Sequence, residues 1–597
     1  MKNKIIILLV IFFSLNIAAY LENIPLKLYQ PDESIFECFA TGDEFYVRLH
    51  DADNYTITQS SVDGYYYYAV KIDTKILPSN FRADRNELRP SLTSNLRIER
   101  EEYLFRKDRF KQGRERRDAP TFGNINNINI FIRFADEGEF LSPRSFYDWQ
   151  FNQSEGPSLK HYFLEVSNDI LEVSTTHYPE CNIDENLSYQ DTYSRSYYQL
   201  YHSITNPEGY FECPQWGEDP PYPGMSCDDI DTLQWRSHRE HTLLKNAVDF
   251  IENEVPDDLD VDANDDGYVD NVTFLVSGSP NGWAELLWPH RWSLYSYDAY
   301  INGALVDGYN MNLSDGGYFT VGVLCHEFGH SLGAPDFYRY YDGSITPLGE
   351  WGLMASNASP NPQYPTAWIQ HRYFNWVDCP EIEQSGTYAI NALTDHYNNC
   401  YTVKSPYSDT EHFILEYRKH TGIYDSNLPG NNNGLLIYRI NLDINRNDIV
   451  DTLENEDGWA VGGNGDGPPD EIYVYRAAGT LENNGNIYAA MYSPQTGRTE
   501  INDNTSPSSF LSDGMPGGLD ILEIGFPSDT VEFICNIDCG SLLSGDVNSD
   551  SIVDILDIIL AINYILDLTY DPCSDINSDG ILNILDIISI INIVIDA

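Results

Sequence analysis

The sequence has few basic residues: 35 lysines and arginines stand against 92 aspartates and glutamates, a formal net charge of -57 in 597 residues. Such a chain repels the phosphates of nucleic acids, which excludes nucleic-acid binding. The excess of carboxylates suits a protein with several calcium sites, because Ca²⁺ prefers oxygen ligands. The length exceeds what a single hydrophobic core usually supports, so we predict several domains.

The sequence also lacks a second long hydrophobic run. After the first 20 residues, no segment reaches the roughly 18 uncharged apolar residues that a membrane span needs. The N-terminus, MKNKIIILLVIFFSLNIAA, has a basic head, a short apolar core and small residues at its end. This pattern is typical of a secretory signal peptide. We therefore predict a secreted protein, extracellular or associated with the cell surface, whose mature form does not insert into a membrane.

Changes in composition predict how the rest of the chain is divided. Nine of the 35 basic residues lie between Arg97 and Arg117, and they end in the run RERR just before Asp118. A solvated basic linker is a good protease target, which favours an activation site over an unprocessed charge run. We predict a multidomain α+β protein with these parts: a signal peptide at 1–19, a propeptide with a basic activation linker at 20–117, a catalytic domain at 118–380, a β-sandwich domain at 381–540 and a small all-α calcium-loop module at 541–597.

Ten cysteines in an exported chain indicate disulfides. Cys38 lies in the predicted propeptide, and Cys325 lies in a predicted buried helix. The other eight can form four bridges, and the closest plausible loops join Cys213 to Cys227 and Cys379 to Cys400.

The segment VGVLCHEFGHSLGAPDFY, residues 321–338, carries the main chemical signal. Leu324, Phe328 and Leu332 recur every four residues, which predicts a helix with one buried stripe. His326 and His330 are one turn apart on the opposite side, a spacing at which two imidazoles bind one zinc ion. Glu327 lies beside them and can take a proton from a zinc-bound water as general base.

The residues after this helix supply a third ligand. Gly333 allows the chain to leave the helix in a left-handed turn, so that Asp336 returns toward the metal. A carboxylate there leaves one position open, as a catalytic zinc site requires. Glu350, 20 residues after His330, is the alternative third ligand. We prefer Asp336 because the glycine turn otherwise has no explanation.

The run HEFGHSLGAPD resembles the HExxHxxGxxD signature of the immune inhibitor A-like family of secreted zinc metallopeptidases. It is also similar to the metzincins, which place a methionine-containing turn beneath the zinc. In the run GEWGLMASNAS, Met354 lies where such a turn falls. The resemblance implies a zincin-type catalytic domain with one catalytic Zn²⁺ and protein or peptide substrates.

Two kinds of acidic loop predict calcium sites. The run DANDDGYVD has oxygen-bearing side chains at alternate positions and a glycine for the sharp turn, as in the first part of an EF-type loop. The usual acidic twelfth residue is replaced by Thr273. We predict one Ca²⁺ there, with the ligands Asp262, Asn264, Asp266 and Asp270.

The tail contains a related pattern twice, 29 residues apart, and each copy runs into an isoleucine-rich helix. The pair resembles a dockerin, a module that binds cohesin modules on scaffolding proteins. The resemblance implies two Ca²⁺ ions and a cohesin-like partner. The predicted ligands are Asp546, Asn548, Asp550, Asp554 and Asp557 in the first loop, and Asp575, Asn577, Asp579, Asn583 and Asp586 in the second.

Together these patterns predict a secreted zinc endopeptidase, made as a zymogen and tethered by its tail. One alternative is a non-catalytic binding protein, extracellular or bound to a scaffold, with a silent zincin fold. Such a protein commonly loses the base, whereas Glu327 is present here. A zinc hydrolase that cleaves other bonds is the third hypothesis, and the propeptide and the family resemblance favour proteolysis over it.

Overall fold

The structure is a computed structural model. It describes residues 21–43, 45–85, 92–110, 118–211, 235–279, 288–315, 319–341, 343–356, 361–443, 462–537, 545–548, 552–566, 574–577 and 581–596. The predicted signal peptide, the RERR run, the Cys213–Cys227 pair, Asp550 and Asp579 lie outside the described residues.

The N-terminal region is a six-stranded antiparallel sheet whose strands follow one another in chain order. Buried and exposed residues alternate along the second strand, as expected when one face of a sheet is covered. A helix follows the sheet. The elements are β1 (Leu21–Tyr29), β2 (Ile35–Gly42), β3 (Val47–His50), β4 (Thr56–Gln59), β5 (Tyr66–Ile72), β6 (Lys75–Arg82) and α1 (Arg100–Phe110).

The central region is a mixed sheet with helices on both faces. Its elements are β7 (Gly123–Arg133), α2 (Arg144–Asn152), α3 (Leu159–Val166), β8 (Leu171–Tyr178), β9 (Tyr189–Gln190), α4 (Arg236–Ile251), β10 (Val272–Val276), β11 (His290–Ser293), β12 (Tyr300–Ile301), β13 (Ala304–Leu305), β14 (Gly308–Leu313), α5 (Val321–Ser331) and α6 (Ala367–Arg372). The main strand order is β11-β14-β10-β7-β8. Only β11, at the edge, runs antiparallel to its neighbour.

Each face of this sheet belongs to a different hydrophobic cluster. Ile128 and Phe274 pack with α4 and with the N-terminal sheet, whereas Phe131 and Leu275 pack with α3 and α5. Strand β10 is therefore buried on both faces, as parallel strands usually are.

The region after position 380 consists of two antiparallel sheets. The elements are β15 (Gly386–Asn391), β16 (Cys400–Lys404), β17 (Glu411–Arg418), β18 (Gly434–Asn441), β19 (Ile472–Val474), β20 (Asp520–Leu522) and β21 (Thr530–Asn536). Their orders are β15-β21-β20 and β16-β17-β18-β19, and one core contains residues from both, as in the predicted sandwich. Leu436 and Tyr438 of the second sheet join Phe328 and Trp351 in another cluster. Hydrophobic packing is thus continuous across position 380.

The cysteines only partly follow the prediction. A disulfide joins Cys379 to Cys400, as expected. Cys181 and Cys535 are free thiols, so the expectation that the eight remaining cysteines form four bridges is wrong. Cys535 lies in the core between the two sheets, where burial raises the pKa of its thiol to about 12.

The tail contains two helices, α7 (Ile555–Leu566) and α8 (Ile584–Asp596). They pack on each other through a small cluster of their own, which includes Ala561, Ile587 and Ile590. Among the described residues, no helix is long and apolar enough to span a membrane.

Candidate metal centre

Helix α5 carries the HExxH residues and is almost completely buried. The Thr320 side chain caps its N-terminus by accepting a hydrogen bond from the Val323 N–H (3.2 Å). Every residue of α5 except His330 is buried. The predicted single buried stripe is therefore wrong: the helix also has α3, β11 and β14 packed against it.

Main-chain carbonyls orient both histidines. Nδ1 of His326 lies 3.0 Å from the Leu353 carbonyl oxygen, and Nδ1 of His330 lies 2.8 Å from that of Ala334. A carbonyl can only accept, so Nδ1 carries the proton and Nε2 keeps its lone pair for a metal. The two rings are perpendicular, with centroids 4.8 Å apart.

Asp336 comes back to these histidines through a turn at Gly333, whose φ is +102°. Its Oδ1 lies 3.1 Å from Nε2 of His326 and 3.4 Å from Nε2 of His330. Burial alone would raise the pKa of Asp336, but the two histidines beside it, when protonated, lower that pKa. The three residues form the one potential metal-binding group of His, Cys, Asp or Glu side chains found in the described part of the chain.

The donor atoms fit a metal ion. Nε2 of His326, Oδ1 of Asp336 and both carboxylate oxygens of Glu327 are buried and make no hydrogen bond within the described residues. A buried polar atom without a hydrogen-bond partner raises the free energy of the folded protein. A bound cation and its water would remove this cost by contacting these atoms. Two imidazoles and one carboxylate are a zinc donor set.

The environment of Glu327 favours a role for its carboxylate as a general base. Burial raises the pKa of its carboxyl group, although His326 and His330, when protonated, oppose this. A carboxylate with a raised pKa holds a proton more readily, as general-base catalysis requires.

The alternative third ligand lies elsewhere. An oxygen of Glu350 accepts a hydrogen bond from the Tyr488 hydroxyl (2.9 Å), and Glu350 is not part of the histidine cluster. The structure thus brings Asp336, and not Glu350, to His326 and His330.

Two contacts at the centre were not foreseen from the sequence. The Tyr340 hydroxyl donates to Oδ2 of Asp336 (2.8 Å), on the side away from the histidines. The buried Met354 accepts at its carbonyl from the N–H of Phe337 (2.7 Å), which ties the methionine turn to the segment that carries the ligand. The three tyrosines within Tyr338–Tyr341 were the only sequence signal for the first contact.

The predicted calcium loop in the catalytic region is compact. The two oxygens of Asp262 accept from the N–H groups of Asp266 (2.9 Å) and Gly267 (2.8 Å). Burial, and then the nearby acidic residues, raise the pKa of Asp270 to about 7. Asn264 accepts from the N–H of Asp266 (3.2 Å). The four predicted residues stay candidate ligands, and Thr273 donates to Asn127 (3.1 Å).

In the tail, the last acidic residue of each loop accepts hydrogen bonds from main-chain N–H groups of its own loop. Asp557 accepts from the N–H groups of Val547 (2.7 Å) and Asp554 (2.8 Å). Asp586 accepts in the same way from Asn583 (2.9 Å). The remaining described positions of the prediction, which stay candidate ligands, are Asp546, Asn548, Asp575 and Asn577.

A comparison with models of known protein families gives a match. A model of the family described as the catalytic domain of immune inhibitor A peptidase M6 matches residues 245–361, which include the whole histidine–aspartate cluster. No curated protein matches the chain. The predicted resemblance is therefore confirmed for this segment: the part of the chain that carries the histidine–aspartate cluster is similar to the catalytic domain of the immune inhibitor A peptidases.

Proposed function

We propose that the protein is a secreted zinc-dependent endopeptidase. The observation that carries the proposal is the convergence of His326, His330 and Asp336 on one point, with Glu327 buried beside them. This cluster lies inside the segment that matches a peptidase family.

Three side chains hold the metal in this proposal, and a fourth moves protons. His326 and His330 bind through Nε2, and Asp336 binds through Oδ1. A zinc ion, when bound, supplies the Lewis acidity that makes water an effective nucleophile at neutral pH. Glu327 accepts the proton that water loses on attacking the peptide carbonyl, and it then delivers that proton to the leaving amine.

A peptide library tests the proposal. Chain cleaved after Arg117 is incubated with peptides of mixed sequence, and the products are mapped by mass spectrometry. Internal cleavage that requires zinc is expected. Glu327→Ala removes only the base, so it should keep zinc and the fold and lose nearly all activity, whereas His326→Ala should lose both metal and activity. If Glu327→Ala kept substantial activity in excess zinc, the general-base role would be wrong.

We further propose that residues 21–110 keep the enzyme latent. Aromatic contacts connect this segment to the residues after Asp336: the ring of Phe45 lies 5.2 Å from that of Tyr340, and the ring of Tyr103 lies 6.4 Å from it. Arg97 donates to the carbonyl of Tyr341 (3.1 Å). Helix α1 ends at Phe110 and the RERR segment begins at Arg114, so a cut there would separate this cover from the catalytic region.

Cys38 lies in the proposed inhibitory segment, but it does not suit a latency mechanism in which a thiolate caps the zinc. It lies within β2, in the core of the N-terminal sheet. Burial raises the pKa of its thiol to about 12, which disfavours the thiolate. The aromatic contacts and the hydrogen bond of the N-terminal segment, rather than this thiol, therefore support the proposal of latency.

For the tail we propose a calcium-dependent docking module. Two identical ILDII segments begin α7 and α8, and both expose large apolar side chains: Ile555, Leu556, Ile559, Ile584, Leu585 and Ile588. Apolar groups left exposed in this way are typical of an interaction surface. A cohesin-like module on a scaffold is the partner we propose, with one Ca²⁺ in each tail loop and a third in the 262–270 loop.

A further inference from the structure

The segment that carries Asp336 is held by residues from far outside the matched catalytic region. Residues 462–471 precede β19, about 100 positions beyond the end of the family match. The Asn464 N–H donates to the Asp336 carbonyl (2.8 Å), and the Tyr340 N–H donates to the Gly465 carbonyl (3.1 Å). We call residues 333–341 the ligand loop. Its main chain is thus paired with the 462–471 segment at two points.

The Asn464 side chain joins the ligand loop to the second sheet of the sandwich. Its Nδ2 donates to the carbonyls of Phe337 and Ile472 (both 2.9 Å), and its Oδ1 accepts from the Ile472 N–H (3.0 Å). Asn464 is fully buried. A side chain bonded at both ends has no freedom to turn, so it fixes the residue next to Asp336 relative to β19.

A buried ion pair makes a second connection. Arg339 binds both oxygens of Asp470, with Nε–Oδ1 at 2.7 Å and Nη2–Oδ2 at 2.6 Å. Both side chains are at least 95% buried. A bidentate pair of this kind is geometrically specific, and removal of one partner leaves an uncompensated buried charge.

Glycines permit this close approach. Gly463 has a φ of +82°, and a Cβ on it would collide with the carbonyl oxygen of Asp336. A Cβ on Gly465 would collide with the ring of Tyr340. The run Gly-Gly-Asn-Gly at 462–465 therefore matches the surface of the ligand loop, because side chains would hold the two segments apart.

From these contacts we propose that Asn464 and Asp470 are positioning residues of the metal centre. They hold the backbone of the ligand loop so that the Asp336 carboxylate stays between the Nε2 atoms of His326 and His330. The inference rests on the proposed zinc function. It assigns the post-catalytic sandwich a part in the metal site, which residues 245–361 do not complete by themselves.

Zinc affinity of the full chain tests this inference. Each protein is titrated with Zn²⁺ in competition with a chelating indicator, and its thermal unfolding is recorded without metal. Asp470→Asn and Asn464→Ala should raise the Kd for zinc roughly 10- to 100-fold, the usual effect of losing a group that orients a ligand. Glu411→Gln is the matched control: Glu411 lies in the same sheet and is paired to the buried Arg439 (3.1 Å). This control should lower the Tm but leave the Kd unchanged.

The outcomes separate the inference from the proposed function. If wild-type chain binds zinc and His326→Ala does not, but both variants bind within threefold of wild type, the positioning role is overturned and the zinc site stands. If the wild type binds no zinc, the proposed function fails and the inference fails with it. Should Asp470→Asn not fold, Arg339→Lys keeps the charge without the planar fork. It must then weaken zinc binding severalfold, and an unchanged Kd overturns the inference.

Discussion

The sulfur of Met354 lies against Gly329, the residue directly before His330 in the HExxH motif. A Cβ on Gly329 would come within 2.5 Å of that sulfur. Met354 is fully buried, and the carbonyl of its neighbour Leu353 orients His326. The methionine turn and the histidine helix are therefore in direct contact, and the contact requires a residue without a side chain at 329.

Gly329→Ala should consequently disturb both stability and metal binding. The added methyl group overpacks a closed site, which typically costs about 1–3 kcal/mol. Displacement of the methionine turn would also move the Leu353 carbonyl and weaken zinc binding. Thermal unfolding and zinc titration measure the two effects. Gly497→Ala is a suitable control, because the space around that glycine is open, although its φ of +72° makes the change mildly strained. Zinc affinity equal to that of the control would contradict the argument.

The identity of the third ligand predicts unequal effects of two substitutions. Asp336→Ala removes a donor atom and should weaken zinc binding by more than the roughly 10- to 100-fold typical of an outer partner. Glu350→Ala removes a carboxylate that binds Tyr488 and is not part of the histidine cluster, so zinc affinity should hardly change. Metal titration of both variants decides the matter. Equal or reversed losses would rule out Asp336 as the ligand.

Latency should end with a cut in the basic linker. We expect the full-length protein to be inactive, and cleavage within Arg114–Arg117 to give an active chain that begins near Asp118. N-terminal sequencing of active secreted enzyme identifies the cut. Activity in the uncut precursor, or a mature chain that begins before Arg97, would show that the inhibitory segment has been assigned wrongly.

The tail should fold only with calcium. Its helices share a small cluster of their own, so a fragment from Ser541 to Ala597 can be studied alone. We expect little helix in chelator and a helical circular dichroism spectrum after calcium is added, because the loops concentrate carboxylates. Loop two, with Gly580, should bind more tightly than loop one, where Ser551 stands in place of glycine. Titrations of Asp546→Ala and Asp575→Ala separate the loops. A helical content that does not change when calcium is added would rule out the dockerin interpretation.

A buried histidine predicts acid sensitivity of the catalytic region. His241 is fully buried, and burial lowers its pKa to about 4, with Glu240 opposing the shift. In the unfolded chain the pKa is about 6.5, so the unfolded state binds an extra proton between about pH 6.5 and 4. Stability should therefore fall by about 3 kcal/mol as the pH decreases through this window. Denaturant unfolding of His241→Gln should show a flatter pH dependence, and an unchanged slope would refute this role of His241.

The sequence by itself determined the local part of the metal site. Helical spacing alone puts His326 and His330 one turn apart, and a glycine at 333 permits the positive φ that turns Asp336 back. The Cys379–Cys400 disulfide and the alternating strands after position 380 could be predicted from the sequence in the same way. These features depend on residues that are close in the chain. For such residues the backbone geometry determines which side chains are neighbours.

Only the tertiary structure decided which distant residues support that site. Asn464 and Asp470 meet the ligand loop from about 130 positions away, and Tyr103 approaches Tyr340 from more than 230. The prediction of a single buried stripe on α5 was wrong, because nearly the whole helix is buried. The spacing of apolar residues identifies one buried face of a helix, but it does not show which other elements pack against the remaining faces. Which segments pack together depends on chain topology and on the space that glycines leave, and neither is encoded in local spacing.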